Sequence, residues 1–415
     1  MRIENLRTEK SAAQMRAVAD VTWEDCSRPA QELYFETGEN FADSLTCNPH
    51  AFLVACIMPA IHFGEQRLSI EGEICPELKD GLITVMNWMR FWWYSPSRRL
   101  VTIEGKSRSG LADHAISERA GFFFSGGIDA LSTLVVNRLE YPSTHPGSIK
   151  DGLLVCGLEI QDPVIFGFVL DSLRVLAEDA NISLIPIFTN IRSLGPDEDN
   201  VFWGEFWRKE FMGATFAAIA HVFAKRLNRV SINSSDVVPD IVPYGTHPLI
   251  DPCFSSSDLR IRHEGIALSR LEKTRLVSTW NLALQHIRVC NDTQLYRPSR
   301  LNCGKCEKCI RTMLALKALG VLDQTTVFPN NKISIEFIKA NLHLEDEILN
   351  YYPEIISALY ENGHFEVAKA VDQKYRDYHI WKNKMKIRNK WLSPIKEFDE
   401  KHCNGVIRKI KRAFY

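Results

Sequence analysis

The chain has no hydrophobic run long enough to cross a bilayer. Its most apolar stretch, Ala51 to Phe63, is too short and contains Pro59. The opening residues Met1-Arg2-Ile3-Glu4-Asn5-Leu6-Arg7 lack the apolar core of a secretory signal. No transmembrane segment is expected, and a cytoplasmic location is. Neither sign of charge is in excess, since 50 Lys and Arg stand against 51 Asp and Glu for a net charge of −1. No global field captures a polyanion, which disfavours a tRNA partner while leaving a local basic face open. Eleven cysteines in a reducing compartment read as buried thiols and metal ligands rather than disulfides.

The most informative stretch is Gly121-Phe122-Phe123-Phe124-Ser125-Gly126-Gly127-Ile128-Asp129. An apolar run of strand character ends in Ser-Gly-Gly, and a helical pattern follows at once. Such a turn aims backbone N–H groups and the positive end of a helix dipole at one spot, and the glycines let an anion approach without meeting a Cβ. It fits neither the G-x-x-x-x-G-K-[ST] phosphate loop nor the G-x-G-x-x-G dinucleotide loop.

Ser125-Gly126-Gly127-Ile128-Asp129 resembles the SGGxDS signature of the PP-loop ATP pyrophosphatases, which split ATP to AMP and pyrophosphate. Ala130 stands where that family has serine. Ser132 and Thr133 are close enough to supply a hydroxyl in its place. The resemblance implies that Ser125, Gly126, Gly127, Ile128 and Asp129 hold ATP with Mg2+.

The 415 residues are too many for one core. Residues 1–115 read as an α+β unit carrying no motif. Its strands are Val18 to Trp23, Glu32 to Phe35 and Leu100 to Glu104, and its helices Ala51–Ile61 and Leu78–Tyr94. The aromatics Trp88, Phe91, Trp92, Trp93 and Tyr94 suit a core or interdomain helix better than a stacking platform. Lys106 to Gly110 reads as a polar linker.

Residues 116–325 alternate strand and helix, predicting an α/β fold with a parallel, doubly wound (HUP/Rossmann-like) sheet covered on both faces. The predicted strands are Ala120–Phe124, Leu153–Ile160, Ile182–Phe188 and Arg229–Asn233, with helices Pro163–Asp179 and roughly 204–227. Ligands in such sheets sit at the carboxyl ends of the strands. Glu159, Asp162, Thr189 and Asn190 fall there, as do Ser234, Ser235 and Asp236, which suit either a ligand contact or a capped turn. Residues 237–266 read as a loop-rich insertion, with His247 and Asp251 the candidates for substrate orientation or proton transfer. A charged helix opens near Leu268, where Lys273 matches the late-helix lysine of the PP-loop enzymes and Arg270 precedes it on the same face. Two cations there would neutralise departing pyrophosphate.

Ile287 to Cys290 reads as a final strand. Cys290, Cys303, Cys306 and Cys309 follow the spacing C-x12-C-x2-C-x2-C. Four thiolates so spaced suit a closed, structural tetrahedral Zn2+ site, with a redox thiol set or an Fe–S cluster as alternatives. A PP-loop followed by this site is similar to the 7-cyano-7-deazaguanine synthases, which activate a carboxylate with ATP and replace oxygen by nitrogen. The resemblance covers about residues 118–320. It implies an AMP-forming ligase or amidotransferase acting on a small-molecule or peptide carboxylate with an amine or ammonia donor. Sulfur transfer to a nucleobase or tRNA, and an ATP-binding regulator with weakened chemistry, are the alternatives. A homodimer is allowed.

Residues 326–415 read as a helical, basic C-terminal region. Trp381, Trp391 and Phe398 interleave its cations, and a short basic amphipathic end spans 406–412. An anionic partner or a solvated helix both suit it.

Overall fold

A computed structural model describes residues 1–402 apart from 12, 111–117, 197–203, 291 and 299, and from residue 389 it describes the backbone alone. The basic end at 406–412 and the later part of the loop at 190–200 lie outside the described residues. The chain forms two compact units, one of Met1–Gly304 with Val321–Asn331, the other of Lys305–Gly320 with the residues from Lys332 onward.

The first unit is built on one mixed, mostly parallel sheet. In chain order its elements are β1 (Arg2–Ser11), β2 (Gln14–Thr22), β3 (Gln31–Gly38), α1 (Pro49–Phe63), β4 (Arg67–Ile74), α2 (Pro76–Trp93) and β5 (Thr102–Ser107). There follow β6 (Ala120–Phe123), α3 (Ile128–Glu140), β7 (Ile149–Cys156), α4 (Pro163–Asp179), β8 (Ser183–Thr189), α5 (Met212–Val222), β9 (Arg229–Asn233), β10 (Arg260–Glu264), α6 (Arg270–Ser278) and α7 (Asn281–Leu284). The ten strands run in the order β10-β9-β6-β7-β8-β3-β2-β1-β4-β5. The first five are mutually parallel.

No compact-unit boundary falls near residue 115. β3 pairs antiparallel with β8 through Phe35 with Thr189, Glu36 with Phe188 and Thr37 with Ile187, so the N-terminal strands extend the parallel sheet. Side chains lock that seam. Tyr34 N–H donates to Asn190 Oδ1 at 3.0 Å, Asn190 Nδ2 donates to the Glu32 carbonyl at 2.7 Å, and Thr189 Oγ1 donates to the Tyr34 carbonyl at 2.7 Å. Thr189 and Asn190 thus bind the N-terminal strands to the parallel part of the sheet. The stretch read as a linker is partly β5, and Arg108 after it pairs with Asp258 at 2.5 Å. The second expected boundary, near 326, lies close to the return to the second unit at Lys332.

A hydrophobic core on one face of the sheet gathers α1, α2 and α5 with Phe123, Leu153, Ile185, Val230, Ile232 and Ile261. The other face carries α3, α4 and α6, where α3 packs along α6. The half-buried Trp88, Trp92, Trp93 and Tyr94 pack against the hydrophobic core, whereas Phe91 is exposed.

Two element assignments change. The fifth parallel strand is β10, inside the stretch expected to be loop, and Ile287 to Cys290 pairs with no strand. Arg260-Ile261-Arg262-His263-Glu264 is an edge strand with alternating polar positions, so it lacks the continuous apolar signature of its neighbours. The predicted long helix at 204–227 is shorter, with a π turn at Trp207–Phe211 ahead of α5. There Gly245 donates its N–H to the Arg208 carbonyl at 2.5 Å and accepts from Gly213 N–H at 2.6 Å. An inserted backbone of this kind occupies carbonyls that a π turn frees.

The second unit is helical, with α8 (Glu307–Ala318), α9 (Ile335–Asn341), α10 (Tyr352–Glu361) and α11 (Phe365–His402). Among the described residues no helix is long and apolar enough to cross a membrane.

Candidate functional site

Ser125-Gly126-Gly127 joins β6 to α3 at the place where the strand order reverses, β7 and β8 lying to one side and β9 and β10 to the other. Crevices of this kind open beyond the carboxyl ends of the strands. Gly126 adopts φ +76°, a left-handed conformation that disfavours any side chain, and a Cβ there would sit 2.8 Å from Leu173. Gly127 is the N-cap of α3 and no side chain caps that helix start. The N-cap residue therefore offers no side-chain acceptor to the first N–H groups of this thirteen-residue helix, and the helix dipole favours an anion there.

Three charges meet beside this turn. Asp129 Oδ2 accepts from Arg270 Nη1 at 2.6 Å and from Ser235 Oγ at 3.2 Å, and Lys273 Nζ lies 3.7 Å from Asp129 Oδ1. Ser269 caps α6 in a reciprocal capping box with Glu272, which fixes where Arg270 and Lys273 project. Lys273 is fully buried, and its ammonium donates to the Ser234 carbonyl at 2.8 Å. Burial pushes its pKa below the usual lysine value while Asp129 pulls it back up. Gly265 adopts φ +88°, and a Cβ there would lie 3.6 Å from Lys273 Cε. Asp129, Arg270, Lys273 and Ser235 thus lie in one group. Ser234 adds a local turn, its Oγ accepting from Asp236 N–H at 3.3 Å.

The hydroxyls after Ala130 differ in state. Ala130 is buried. Ser132 Oγ donates to the Asp129 carbonyl at 2.9 Å, so it is spent on the helix backbone. Thr133 Oγ1 is buried with no hydrogen-bond partner among the described residues, one turn after Asp129 on the same helix face. Of the two hydroxyls, that of Thr133 is the one left uncommitted among the described residues.

His247 and Asp251 belong elsewhere. Asp251 is fully buried and accepts from Thr246 Oγ1 at 2.5 Å, His247 N–H at 3.2 Å and His263 Nδ1 at 2.7 Å. His263 lies two residues after Ile261 on β10 and so shares the face of the α1–α2–α5 core, opposite α3 and α6. His247 packs on Trp92 with ring centroids 4.9 Å apart, and burial lowers its pKa. Both residues brace the 245–263 segment, and none of their bonds reaches the Asp129 group. Asp162 likewise is structural, capping α4 through Val164 N–H at 2.7 Å.

The cysteines converge as expected. The sulfurs of Cys290, Cys303, Cys306 and Cys309 all lie within 4.8 Å of one another. Tetrahedral Zn–S bonds of about 2.3 Å place sulfurs about 3.8 Å apart, so the group can hold zinc. Gly304 turns at φ +72° between two of the ligands, and Cys306 is the N-cap of α8. Asp292 N–H points at the Cys290 sulfur at 3.4 Å.

Two residues escaped the sequence reading. Buried Asn302 accepts from Val289 N–H at 2.9 Å and Cys290 N–H at 3.2 Å, and donates to the Ile287 carbonyl at 2.7 Å. Buried Arg288 donates from Nε to the Ser125 carbonyl at 2.7 Å, from Nη1 to Tyr296 Oη at 2.9 Å and from Nη2 to Glu159 at 2.8 Å. Its own N–H bonds the Gly126 carbonyl at 2.9 Å. Tyr296 Oη in turn donates to the Cys290 carbonyl at 2.5 Å. The signal in the sequence was a charged residue inside the apolar run Ile287-Arg288-Val289-Cys290.

No family model, curated protein or solved structure matches this chain.

Proposed function

We propose that the protein is an AMP-forming ligase or amidotransferase of the PP-loop ATP pyrophosphatase type, similar to the 7-cyano-7-deazaguanine synthases and built on a HUP/Rossmann-like sheet. The observation that carries this reading is the convergence of Asp129, Arg270 and Lys273 beside the uncapped start of α3. Two cations, one carboxylate and a set of backbone donors make a locally positive cradle suited to a triphosphate.

In this reading the phosphates of ATP lie against the N–H groups of the 125–128 turn, with Thr133 in reach as a hydroxyl donor. Mg2+ held at Asp129 would spread the phosphate charge. The substrate carboxylate forms a bond to the α-phosphorus as the bond to pyrophosphate breaks, giving an acyl-adenylate. Arg270 and Lys273 take up the charge of the leaving pyrophosphate. Ammonia or an amine then attacks the acyl carbon, AMP leaves with its electron pair, and the nitrogen gives up a proton. The chain positions the two reactants and excludes water.

Sulfur transfer finds less support. It needs a thiolate near the loop, but burial pushes the Cys156 thiol up to about 11 and raises that of Cys253. The regulator reading keeps the Ala130 substitution in its favour.

Pyrophosphate release from ATP, measured with and without carboxylates, decides among these. Turnover is expected to fall roughly 100- to 1,000-fold in Lys273→Met, which removes one charge stabiliser. Intact turnover in Gly127→Asp would sink the site assignment, and ATP binding with no AMP formed would favour the regulator.

A further inference from the structure

The C-terminal helix carries a feature that the ATP reading does not use. Its first turns are anchored in the second unit through the buried Val367, Ala368 and Val371. Burial stops near Ile380. From there to Arg388 each residue but Met385 is exposed, including Ile380, Trp381 and Ile387. No acidic residue occurs between Asp377 and Glu397. Lys382 pairs with Asp346 at 2.7 Å, while Lys384, Lys386 and Arg388 form no ion pair among the described residues.

The placement of these cations chooses among anionic partners. At about 100° per residue, Lys384 and Arg388 form one ridge and Lys382 and Lys386 another, roughly 160–200° around the helix. The apolar residues are divided as well, Ile380 and Ile387 on one side between the ridges and Trp381 and Met385 on the other. A helix lying on a membrane needs one apolar face apart from one cationic face, and this one has neither. Cations on two flanks instead match a groove walled by two phosphate strands. The major groove of B-form DNA, about 12 Å wide, admits a helix about 10–12 Å across. The major groove of duplex RNA is too deep and narrow to admit it.

We propose that residues 380–388 of α11 dock in the major groove of duplex DNA, with Lys386 and Lys382, which exchanges Asp346 for phosphate, on one strand and Lys384 and Arg388 on the other. Contact is electrostatic and independent of base sequence. The inference does not depend on the ATP chemistry.

The test is fluorescence anisotropy of the full chain with a labelled mixed-sequence duplex of about 20 base pairs. Neutralising about four phosphates gives a log–log salt slope of about −3 to −4, or roughly hundredfold weaker binding between about 50 and 200 mM salt. The triple variants Lys384→Glu/Lys386→Glu/Arg388→Glu and Lys384→Gln/Lys386→Gln/Arg388→Gln are expected to bind about tenfold or more weakly, with helix content by circular dichroism unchanged. Wild-type affinity in either variant, equal affinity for duplex RNA, or binding to phosphatidylserine vesicles without DNA binding would each overturn the proposal.

Discussion

Arg288 donates from Nε to the backbone carbonyl of Ser125 at 2.7 Å, across 163 positions of chain. The same guanidinium holds Glu159 and Tyr296, and Tyr296 holds the carbonyl of Cys290. One buried cation therefore joins the turn at 125–127 to the segment carrying Cys290.

Removing that cation leaves Glu159, whose side chain is 21% exposed, and the Ser125 carbonyl without their donor. Arg288→Met is expected to cost on the order of 1–3 kcal/mol of stability. Arg288→Lys keeps the charge but cannot serve three acceptors with one fork, so it should recover only part of the loss. Chemical denaturation measures the stability, and isothermal titration with ATP reads the turn. A tenfold weakening, about 1.4 kcal/mol, is expected for Arg288→Lys. Unchanged ATP affinity in both variants would show that the turn holds its shape without Arg288.

The four cysteines should carry one zinc per chain by elemental analysis. Cys303→Ser, or a strong chelator, is expected to release it and to raise hydrogen exchange in the 287–303 segment, where Asn302 ties the backbone of Ile287, Val289 and Cys290. Zinc in isolated fingers is worth on the order of 10 kcal/mol of folding energy, so the effect on that segment should be large. The distant strands β1 to β5 should keep their protection. Protein with full exchange protection and no bound metal would contradict this.

Two histidines make the fold acid-sensitive. His50 and His221 lie with ring centroids 5.6 Å apart, and burial pushes their pKa values down to about 3 and about 4. Cys75 N–H donates to His50 Nε2 at 2.9 Å, which requires a neutral His50 ring, and His221 Nε2 bonds the Phe254 carbonyl at 2.8 Å. In the unfolded chain they take up protons near pH 6.5. Between about 6.5 and 4 the unfolded state thus binds more protons, and stability falls as pH falls, by up to about 1.4 kcal/mol per histidine per pH unit. Urea midpoints measured from pH 7.5 to 5 should drop accordingly, and His50→Gln should lessen the slope. A flat profile would mean that the rings are charged in the folded state.

The local patterns were legible in the sequence. A strand running into Ser125-Gly126-Gly127 and then a helix is dictated by neighbouring residues, and so is the short-range cysteine spacing from 303 to 309. The bounds of α4, with Asp162 capping it and Pro163 starting it, follow the same local rules. The grouping of Lys273 and Arg270 with the 125–129 turn was expected from the resemblance to the PP-loop enzymes, not from any local rule.

What the chain alone left undecided depends on pairing between distant segments. The union of β3 with β8 is set by Asn190 and Thr189 reaching strands more than 150 positions away, and nothing near either end announces it. β10 is a strand only because β9 lies beside it. His247 and Asp251 look like catalytic residues in a loop until the sheet separates them from α3. The sequence determined the turn, the helix starts and the thiolate set, since those arise from contacts a few residues long. Only the tertiary structure decided that Arg288 holds the turn, because a buried cation has no local partner and its three acceptors come from separate segments of the chain.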